Sequence, residues 1–175
     1  MTPVIHIVRA TVSDAELITD LSHTTFIETY RGTCSDEDLA SFLDNCFSET
    51  GISKELTDPD EYYFVAFADG MPAGYTRLKE DYTDYPISTE YKAIELKRIY
   101  VLNEYQGHGI GAALLHSAFQ LASTRKFQAL WLGVWEHNRK AIAFYQRFGL
   151  TETGKTHTFY IGETAQTDHW MIKVL

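Results

Sequence analysis

Apolar residues recur along the chain with two spacings, which together predict an α/β protein. Runs such as EYYFVAFA at 61–68 carry the aromatic and β-branched residues of strands, whereas residues 109–125, rich in Ala and Leu, have helical character. The predicted strands are residues 4–9, 61–68, 73–80, 94–102, 128–135, 156–161 and 169–174. The predicted helices are residues 13–30, 35–47, 109–125 and 138–148.

Two groups of neighbouring elements indicate how the sheet is connected. The strands at 61–68 and 73–80 flank the turn sequence DGMP, which predicts an antiparallel hairpin. Later in the chain a strand, a helix and a strand follow one another, which predicts a parallel βαβ unit. Residues 82–91, with a proline and no periodicity, are expected to form a surface loop. Since the sequence has no linker and no repeat, residues 1–175 are predicted to form one domain.

Charge is distributed unevenly along the sequence. The chain has 15 basic and 24 acidic side chains and a formal net charge of −9. This excess of acid disfavours nucleic acid and anionic membranes as partners and attracts small cations. Residues 1–95 hold 6 basic and 19 acidic side chains, and residues 96–175 hold 9 basic and 5 acidic ones. The asymmetry fits two ligand surfaces of different charge, and it also fits an acidic surface that only keeps the protein soluble.

The sequence carries no pattern typical of export, membrane insertion or metal binding. The first residues alternate like a strand, and no apolar run approaches the roughly 20 residues of a membrane span. Cys34 and Cys46 form no CxxC motif and are expected to be reduced, buried thiols, and the 7 histidines lack metal-ligand spacing. We therefore expect a cytoplasmic protein without a metal, and the oligomeric state stays open between a monomer and a homodimer.

A glycine-rich turn between a predicted strand and a predicted helix is the most informative stretch. Gly107, Gly109 and Gly111 remove side chains that would keep an anion from the backbone amides, and the helix N-terminus adds partial positive charge. Such a turn favours a phosphate ligand. The P-loop pattern is absent because no GK[ST] follows. The dinucleotide pattern GxGxxG/A fits with Ala112, but the following RKFQALWLGVW segment lacks the acidic residue that a ribose would need.

The same residues resemble a known family. The segment QGHGIG at 106–111 matches the Q/R-x-x-G-x-G/A signature of the GNAT superfamily of N-acetyltransferases, and WLGVWEHNRKAIAFYQRFGL resembles its Asn-x-x-Ala and FYxxxGF segments. Within the superfamily, RATVSDAELITDLSHTTFIETY, ELKRIYVLNEYQGHGIG and QTDHWMIKVL are similar to the PaiA-type spermidine/spermine N-acetyltransferases. The chain departs from that group at Lys97, His108 and Leu150, where an acid, a Lys and a Phe are usual.

The resemblance implies a GNAT fold, in which a mixed seven-stranded sheet, flanked by about four helices, is splayed in the middle to bind acetyl-CoA. It also implies acetyl transfer to a primary amine, with the glycine-rich turn on the CoA pyrophosphate and an amide near Tyr100 or Val101 on the acetyl carbonyl. The residues expected to bind acetyl-CoA are Ile99, Tyr100, Val101, Gln106, Gly107, His108, Gly109, Ile110, Gly111, Ala112, Asn138 and Tyr145.

Two catalytic residues and an acceptor follow from the resemblance. Glu95 occupies the position of the glutamate base in histone-acetylating members of the superfamily. Its position also fits an exposed charge at the end of a strand. Tyr145 is expected to donate its phenolic proton to the CoA thiolate, although its helical spacing also fits a core residue. The expected acceptor is a polyamine such as spermidine or spermine, in contact with Glu28, Tyr30 and Glu95. The alternatives are an acceptor amine on a protein or peptide, and a non-catalytic acetyl-CoA-binding module.

Overall fold

The computed structural model describes residues 2–80 and 90–175, which contain seven strands and five α-helices. The strands are β1 (Ile5–Arg9), β2 (Glu61–Ala68), β3 (Met71–Lys79), β4 (Ala93–Val101), β5 (Ala129–Trp135), β6 (Thr151–Ile161) and β7 (Thr164–Val174). The helices are α1 (Ala15–Tyr30), α2 (Asp36–Cys46), α3 (Glu49–Thr57), α4 (Ile110–Thr124) and α5 (Arg139–Arg147). None of these helices is both long and apolar enough to span a membrane.

All seven strands belong to one mixed sheet with the order β1-β2-β3-β4-β5-β7-β6. The predicted β2–β3 hairpin is antiparallel, and β4 and β5, which are connected through α4, are parallel as the βαβ pattern predicts. Their pairing covers only residues 93–95 and 129–131, and beyond that point the two strands separate. The predicted seven-stranded sheet, splayed in its middle, is therefore confirmed.

A β-bulge in β4 lies where the strands separate. Arg77 pairs with Arg98 and Leu78 pairs with Leu96, so Lys97 is an extra residue without a partner on β3. The bulge reverses the alternation of side chains. Before it the even-numbered residues of β4 pack towards α4, and after it the odd-numbered residues do. A bulge of this kind therefore decides which β4 side chains reach each face of the sheet.

Apolar side chains cover both faces of the sheet. On one face α1, α2 and α3 pack through residues such as Ile18, Leu43 and Ile52. On the other face α4 and α5 pack against β4 and β5 through residues such as Leu115 and Leu130. Fully burying one such side chain contributes about 1.5–3 kcal/mol. The two layers therefore fix the position of β4 and β5 on both sides of the opening.

Three features of the fold differ from the sequence predictions. Helix α3 is an additional helix that buries only Ile52 and contains Gly51, so it lacks the apolar stripe that marks a helix. Strands β6 and β7 have 11 residues each and begin earlier than predicted. The prediction missed their first residues because β6 is mostly exposed and its polar residues do not alternate with apolar ones. Cys34 and Cys46 are free, but Cys46, the last residue of α2, is exposed, so the prediction of buried thiols is wrong.

The loop predicted at 82–91 lies outside the described residues except for its last two positions, which form a turn and a bend before β4.

Candidate functional site

The opening between β4 and β5 is a cleft of about 740 Å³. It is lined by α1 and β4, by β5 and β7, and by α5 with the turn before α4. Ten of the predicted cofactor-binding residues line it: Ile99, Tyr100, Val101, Gln106, Gly107, Gly109, Gly111, Ala112, Asn138 and Tyr145. Glu28 and Tyr30, predicted to contact the acceptor, line the same cleft.

Three predicted residues do not line the cleft. The side chain of Ile110 is buried against β2 and β3, because the first residue of α4 faces the sheet. His108 is exposed outside the cleft, at the tip of the turn. Glu95 is only 9% exposed and lies before the bulge, at the closed end of the β4–β5 opening. The resemblance to the GNAT superfamily implied ligand contacts for these three residues, and their side chains lie outside the cleft lining.

The glycine-rich turn presents the N-terminus of α4. Gly109 is the N-cap and has φ of +86°, in the left-handed region where residues with a Cβ are strained. No side chain caps the helix, so its first N–H groups have no intrahelical partner. These groups and the helix dipole attract an anion. The turn therefore has the geometry of the predicted phosphate site.

Gln106 connects this turn to β4 and α5. Its Nε2 donates to the Val101 carbonyl oxygen at 3.1 Å and to Oδ1 of Asn103 at 3.0 Å. Its Oε1 accepts a hydrogen bond from Nζ of Lys140 at 2.6 Å. Lys140 and Arg147 of α5 both line the cleft, which adds positive charge on the side of the phosphate site.

Two backbone amides of β4 point into the opening. The Leu102 N–H donates to the Ala73 carbonyl oxygen beyond the end of β4, and by the alternation of a strand the Tyr100 N–H also points to β3. The N–H groups of Ile99 and Val101 therefore point towards β5, which no longer pairs with β4 there. Of the two predicted amide donors to the acetyl carbonyl, the register excludes Tyr100 and retains Val101, with Ile99 in addition.

Helix α5 brings two predicted residues to the cleft. Oδ1 of Asn138 accepts a hydrogen bond from the Ala141 N–H at 3.1 Å, so Asn138 is the N-cap of α5 and lines the cleft as well. Tyr145 is 7% exposed, and within the described part of the chain its hydroxyl has no hydrogen-bond partner. Burial, and secondly the charge of Asp168, raise the pKa of Tyr145. Its phenol therefore keeps its proton at neutral pH and can donate it into the cleft.

The side of the cleft formed by α1 carries Glu28 and Tyr30. Oε2 of Glu28 accepts a hydrogen bond from the Asn103 N–H at 3.0 Å, and the carboxylate stays exposed. The Tyr30 ring packs against Trp135 with centroids 5.0 Å apart. Burial first, and the charge of Asp168 second, raise the pKa of Tyr30. Tyr30 is thus a neutral aromatic wall beside an acidic side chain.

The proposed base Glu95 forms an ion pair with Lys97. Nζ of Lys97 lies 2.8 Å from Oε2 of Glu95, and Lys97 also lines the cleft. The bulge that makes Lys97 an extra residue allows it to reach a carboxylate two positions earlier in the strand. A cationic ligand therefore meets a compensated pair at this position.

Asp168 of β7 is a residue of the cleft that the sequence analysis did not select. It lines the cleft, lies opposite Trp135 in the β5–β7 register, and is half-buried. Burial first, and then the charge of Glu95, raise the pKa of Asp168 to about 6, while His169 acts in the opposite direction. The sequence pattern begins the last strand after Asp168 and so places it in a connection. Residues 164–168 read TAQTD and show no alternation of apolar and polar residues that would have extended the predicted strand to it.

This combination of an anion-binding helix N-terminus, free strand amides and a protonated tyrosine defines the class of acyl-CoA-dependent transferases. The model of the acetyltransferase (GNAT) family matches residues 18–150, and the chain belongs to that family. The predicted family and enzyme class are thereby confirmed. Within residues 2–80 and 90–175, no three His, Cys, Asp or Glu side chains are grouped to hold a metal ion.

Individual relatives agree with the family. An uncharacterized N-acetyltransferase of Lactobacillus delbrueckii subsp. lactis is 32% identical over 171 residues, which is 98% of each chain. The spermidine N(1)-acetyltransferase of Thermoplasma acidophilum is 26% identical over 149 residues, 83% of this chain and 87% of that protein. The crystal structure of PaiA N-acetyltransferase from T. acidophilum in complex with coenzyme A has a TM-score of 0.79 and 23% identity over 98% of this chain and 99% of that one. The chain is therefore an acetyl-CoA-dependent N-acetyltransferase with the GNAT fold.

The cleft fits acetyl-CoA as its co-substrate. The N–H groups at the start of α4 suit the pyrophosphate, and the amides of Ile99 and Val101 suit a carbonyl or a pantetheine amide. Asn138 and Tyr145 lie on the opposite side of the same cleft. Acetyl-CoA would supply the activated thioester, and these residues of the chain would bind it, orient it and hold a proton near it.

Proposed function

We propose that the acceptor is a polyamine such as spermidine or spermine. The observation that carries this proposal is a difference in pairing among the charged side chains of the cleft. Asp168 has no hydrogen-bond or ion-pair partner among the described residues, and Glu28 accepts only a backbone N–H. The cleft therefore offers two carboxylates that a cationic ligand can bind.

Cationic side chains on the acceptor side are already compensated. Nζ of Lys97 lies 2.8 Å from Glu95, and Nη1 of Arg98 lies 3.3 Å from Oε2 of Glu55. The Tyr30 and Trp135 rings add aromatic faces that attract an ammonium or its methylene chain. A flexible chain with several ammonium groups suits this surface better than a neutral or anionic amine does. The similarity to the spermidine acetyltransferase of T. acidophilum supports the same acceptor class.

In the proposed reaction the amine nitrogen attacks the thioester carbonyl. The amides of Ile99 and Val101 stabilise the negative charge that develops on the carbonyl oxygen. Tyr145 donates its phenolic proton to the departing sulfur, since its pKa is raised and its hydroxyl forms no hydrogen bond with any described residue. A carboxylate of the cleft assists removal of the ammonium proton, either Glu95, as the sequence predicted, or Asp168.

A panel of acceptors tests the proposal. Purified protein with acetyl-CoA is assayed for CoA release with spermidine, spermine, benzylamine, glycine and a peptide with a free N-terminal alanine. We expect the highest kcat/KM for spermidine or spermine. Because exposed charges are screened beyond about 8 Å at physiological ionic strength, the KM for spermidine should rise with salt more than the KM for acetyl-CoA.

Each alternative predicts a different result in this panel. Preference for the peptide would indicate a protein acceptor, and preference for glycine or benzylamine would contradict a polycation site. Binding of acetyl-CoA without CoA release from any amine would favour a non-catalytic module.

A further inference from the structure

Asp168 stands out among the carboxylates of the cleft because the described protein leaves it unpartnered. Buried and half-buried carboxylates are ordinarily hydrogen-bonded or ion-paired. Asp168 receives neither a hydrogen bond nor an ion pair from any described residue. Its side chain lines the cleft, on the face of the β5–β7 pair where Trp135 contacts Tyr30 of α1. An unpartnered carboxylate in this position is available to a ligand.

Gly133 keeps the space in front of this carboxylate open. A Cβ built on Gly133 would lie 3.0 Å from Oδ2 of Asp168, which is closer than ordinary van der Waals contact. Gly133 has no left-handed backbone that would itself require glycine, and it lines the same cleft. The missing side chain on β5 therefore gives Asp168 direct access to the opening between the strands.

Charged and titratable groups reach Asp168 from four elements. Tyr30 of α1 and Tyr145 of α5 both interact electrostatically with Asp168. Glu95 of β4, with its partner Lys97, and His169 of β7 complete the set. Asp168 comes from the face covered by α1, and Tyr145 comes from α5 on the other face. They interact because the sheet is open between them.

We propose that Asp168 is the catalytic base: it binds the acceptor ammonium and accepts its proton, while Lys97 holds Glu95 in an ion pair. This assignment needs a primary amine acceptor and does not depend on that amine being a polyamine. The assignment therefore rests on the acetyl transfer of the proposed function and not on the polyamine acceptor.

The ammonium nitrogen loses a first proton to the Asp168 carboxylate, which passes it to solvent after turnover. The neutral nitrogen forms the C–N bond to the acetyl carbonyl carbon and the C–S bond breaks. The sulfur takes the phenolic proton of Tyr145, and the second proton lost by nitrogen restores Tyr145, directly or through water. The products are the acetamide, CoA thiol and one proton released to solvent.

The electrostatic environment suits this role. Burial, and then the charge of Glu95, raise the pKa of Asp168 to about 6. The carboxylate is therefore ionised at physiological pH, and it is a stronger base than an exposed aspartate. Glu95 is less available to an ammonium, because Nζ of Lys97 already lies 2.8 Å from its Oε2.

The test compares Asp168→Asn with Glu95→Gln and with Glu163→Gln, which removes an exposed charge at the β6–β7 turn. Each variant is assayed with the panel amine that wild-type protein acetylates fastest, and its acetyl-CoA affinity is measured by calorimetry. We expect Asp168→Asn to lower kcat/KM at neutral pH by about 10²–10⁴-fold, the range for one general base, with unchanged acetyl-CoA affinity. Glu163→Gln should match wild type, and Glu95→Gln should lose less activity than Asp168→Asn.

The pH profile distinguishes a base from a structural residue. Wild-type kcat/KM should rise up to about pH 6 and then level off, because the enzyme itself deprotonates the ammonium. In Asp168→Asn it should keep rising about tenfold per pH unit towards the pKa of the amine, near 10, because only free amine then reacts. A merely structural role would lower the whole curve without changing its shape. That outcome, or wild-type activity in Asp168→Asn, would overturn the proposal, as would a loss confined to Glu95→Gln.

Two further measurements test the assignment, and the second needs no substrate. Gly133→Ala fills the space before Asp168 and should raise the KM of the amine at unchanged acetyl-CoA affinity. Carboxyl carbon NMR, with the Asp168 signal identified by its loss in Asp168→Asn, should show titration near pH 6. Titration near that of a free aspartate, about 3.9, would contradict the assignment even if no amine in the panel were acetylated. A preference for glycine or the peptide would refute only the polyamine acceptor.

Discussion

Asp168→Asn should stabilise the protein against unfolding, by an amount that grows as the pH rises from about 4 to about 7. The pKa of Asp168 is raised from 3.8 to about 6 in the folded protein. The folded state therefore holds this proton more tightly than the unfolded state does. As the pH rises through that interval, the unfolded chain ionises first and the free energy of unfolding falls. The asparagine side chain has the same shape and no charge, so the variant lacks this loss.

The magnitude follows from the size of the shift. Each pKa unit corresponds to about 1.4 kcal/mol, so the full difference between variant and wild type is about 3 kcal/mol above pH 7. At about pH 4 it shrinks to about 0.5 kcal/mol, since Asp168 is then protonated in the folded state and still about 40% protonated in the unfolded state. Other effects of the substitution, such as the hydrogen-bonding needs of the amide, are the same at both pH values and cancel when the two are compared.

Urea unfolding followed by tryptophan fluorescence measures this difference. Trp135 lies opposite Asp168 in the β5–β7 register and reports on this part of the sheet. Unfolding free energies of wild type, Asp168→Asn and the exposed-charge control Glu163→Gln are compared over the range from about pH 4 to about pH 8. If the wild-type and Asp168→Asn curves run parallel over that range, Asp168 is not a strained carboxylate and the electrostatic argument for it fails.

The remaining predictions concern acetyl-CoA and its chemistry. Gly109→Glu should abolish acetyl-CoA binding in calorimetry, because a side chain and a like charge occupy the phosphate site. The control Gly154→Glu, which places the same left-handed strain on exposed β6, should bind acetyl-CoA normally. Binding of acetyl-CoA by both variants would refute the assignment of the glycine-rich turn to the phosphate. Tyr145→Phe should keep acetyl-CoA affinity and lower kcat by about 10²-fold, as expected for loss of one general acid. Unchanged kcat with chemistry rate-limiting would leave Tyr145 as a packing residue.

The parts of the fold that the sequence predicted well are those with a local physical cause. The β2–β3 hairpin follows from strand-forming residues on both sides of a turn sequence, and the βαβ unit follows from the order of its elements. The glycine-rich turn was recognisable because it needs backbone freedom at Gly109. Helix α3 was missed because a short helix with one buried residue has no periodicity, and its stability comes from tertiary contacts.

Residues of the site that depend on long-range register could not be predicted in the same way. The bulge at Lys97 is a mismatch between two strands, and it appears only when β3 and β4 are paired. In a regular strand without the bulge, Glu95 and Lys97 would lie on one face. The Tyr100 amide would then be as good a candidate for binding the acetyl carbonyl as the amides of its neighbours. Asp168 is selected only by its position across from β5, some thirty residues earlier in the chain. Contacts of this kind have no local signature.

Several features of the cleft would each reduce stability if they had no function. The amides of Ile99 and Val101 lack a strand partner, and Asp168 is a half-buried carboxylate that forms no hydrogen bond or ion pair with any described residue. Elsewhere the described chain satisfies such groups: no fully buried side-chain nitrogen or oxygen lacks a hydrogen-bond partner. These unsatisfied groups occur together in one cleft. The N–H donors match an anionic thioester on one side, and the carboxylate matches an ammonium on the other. The simplest physical account is that the two substrates supply the missing hydrogen-bond and ion-pair partners.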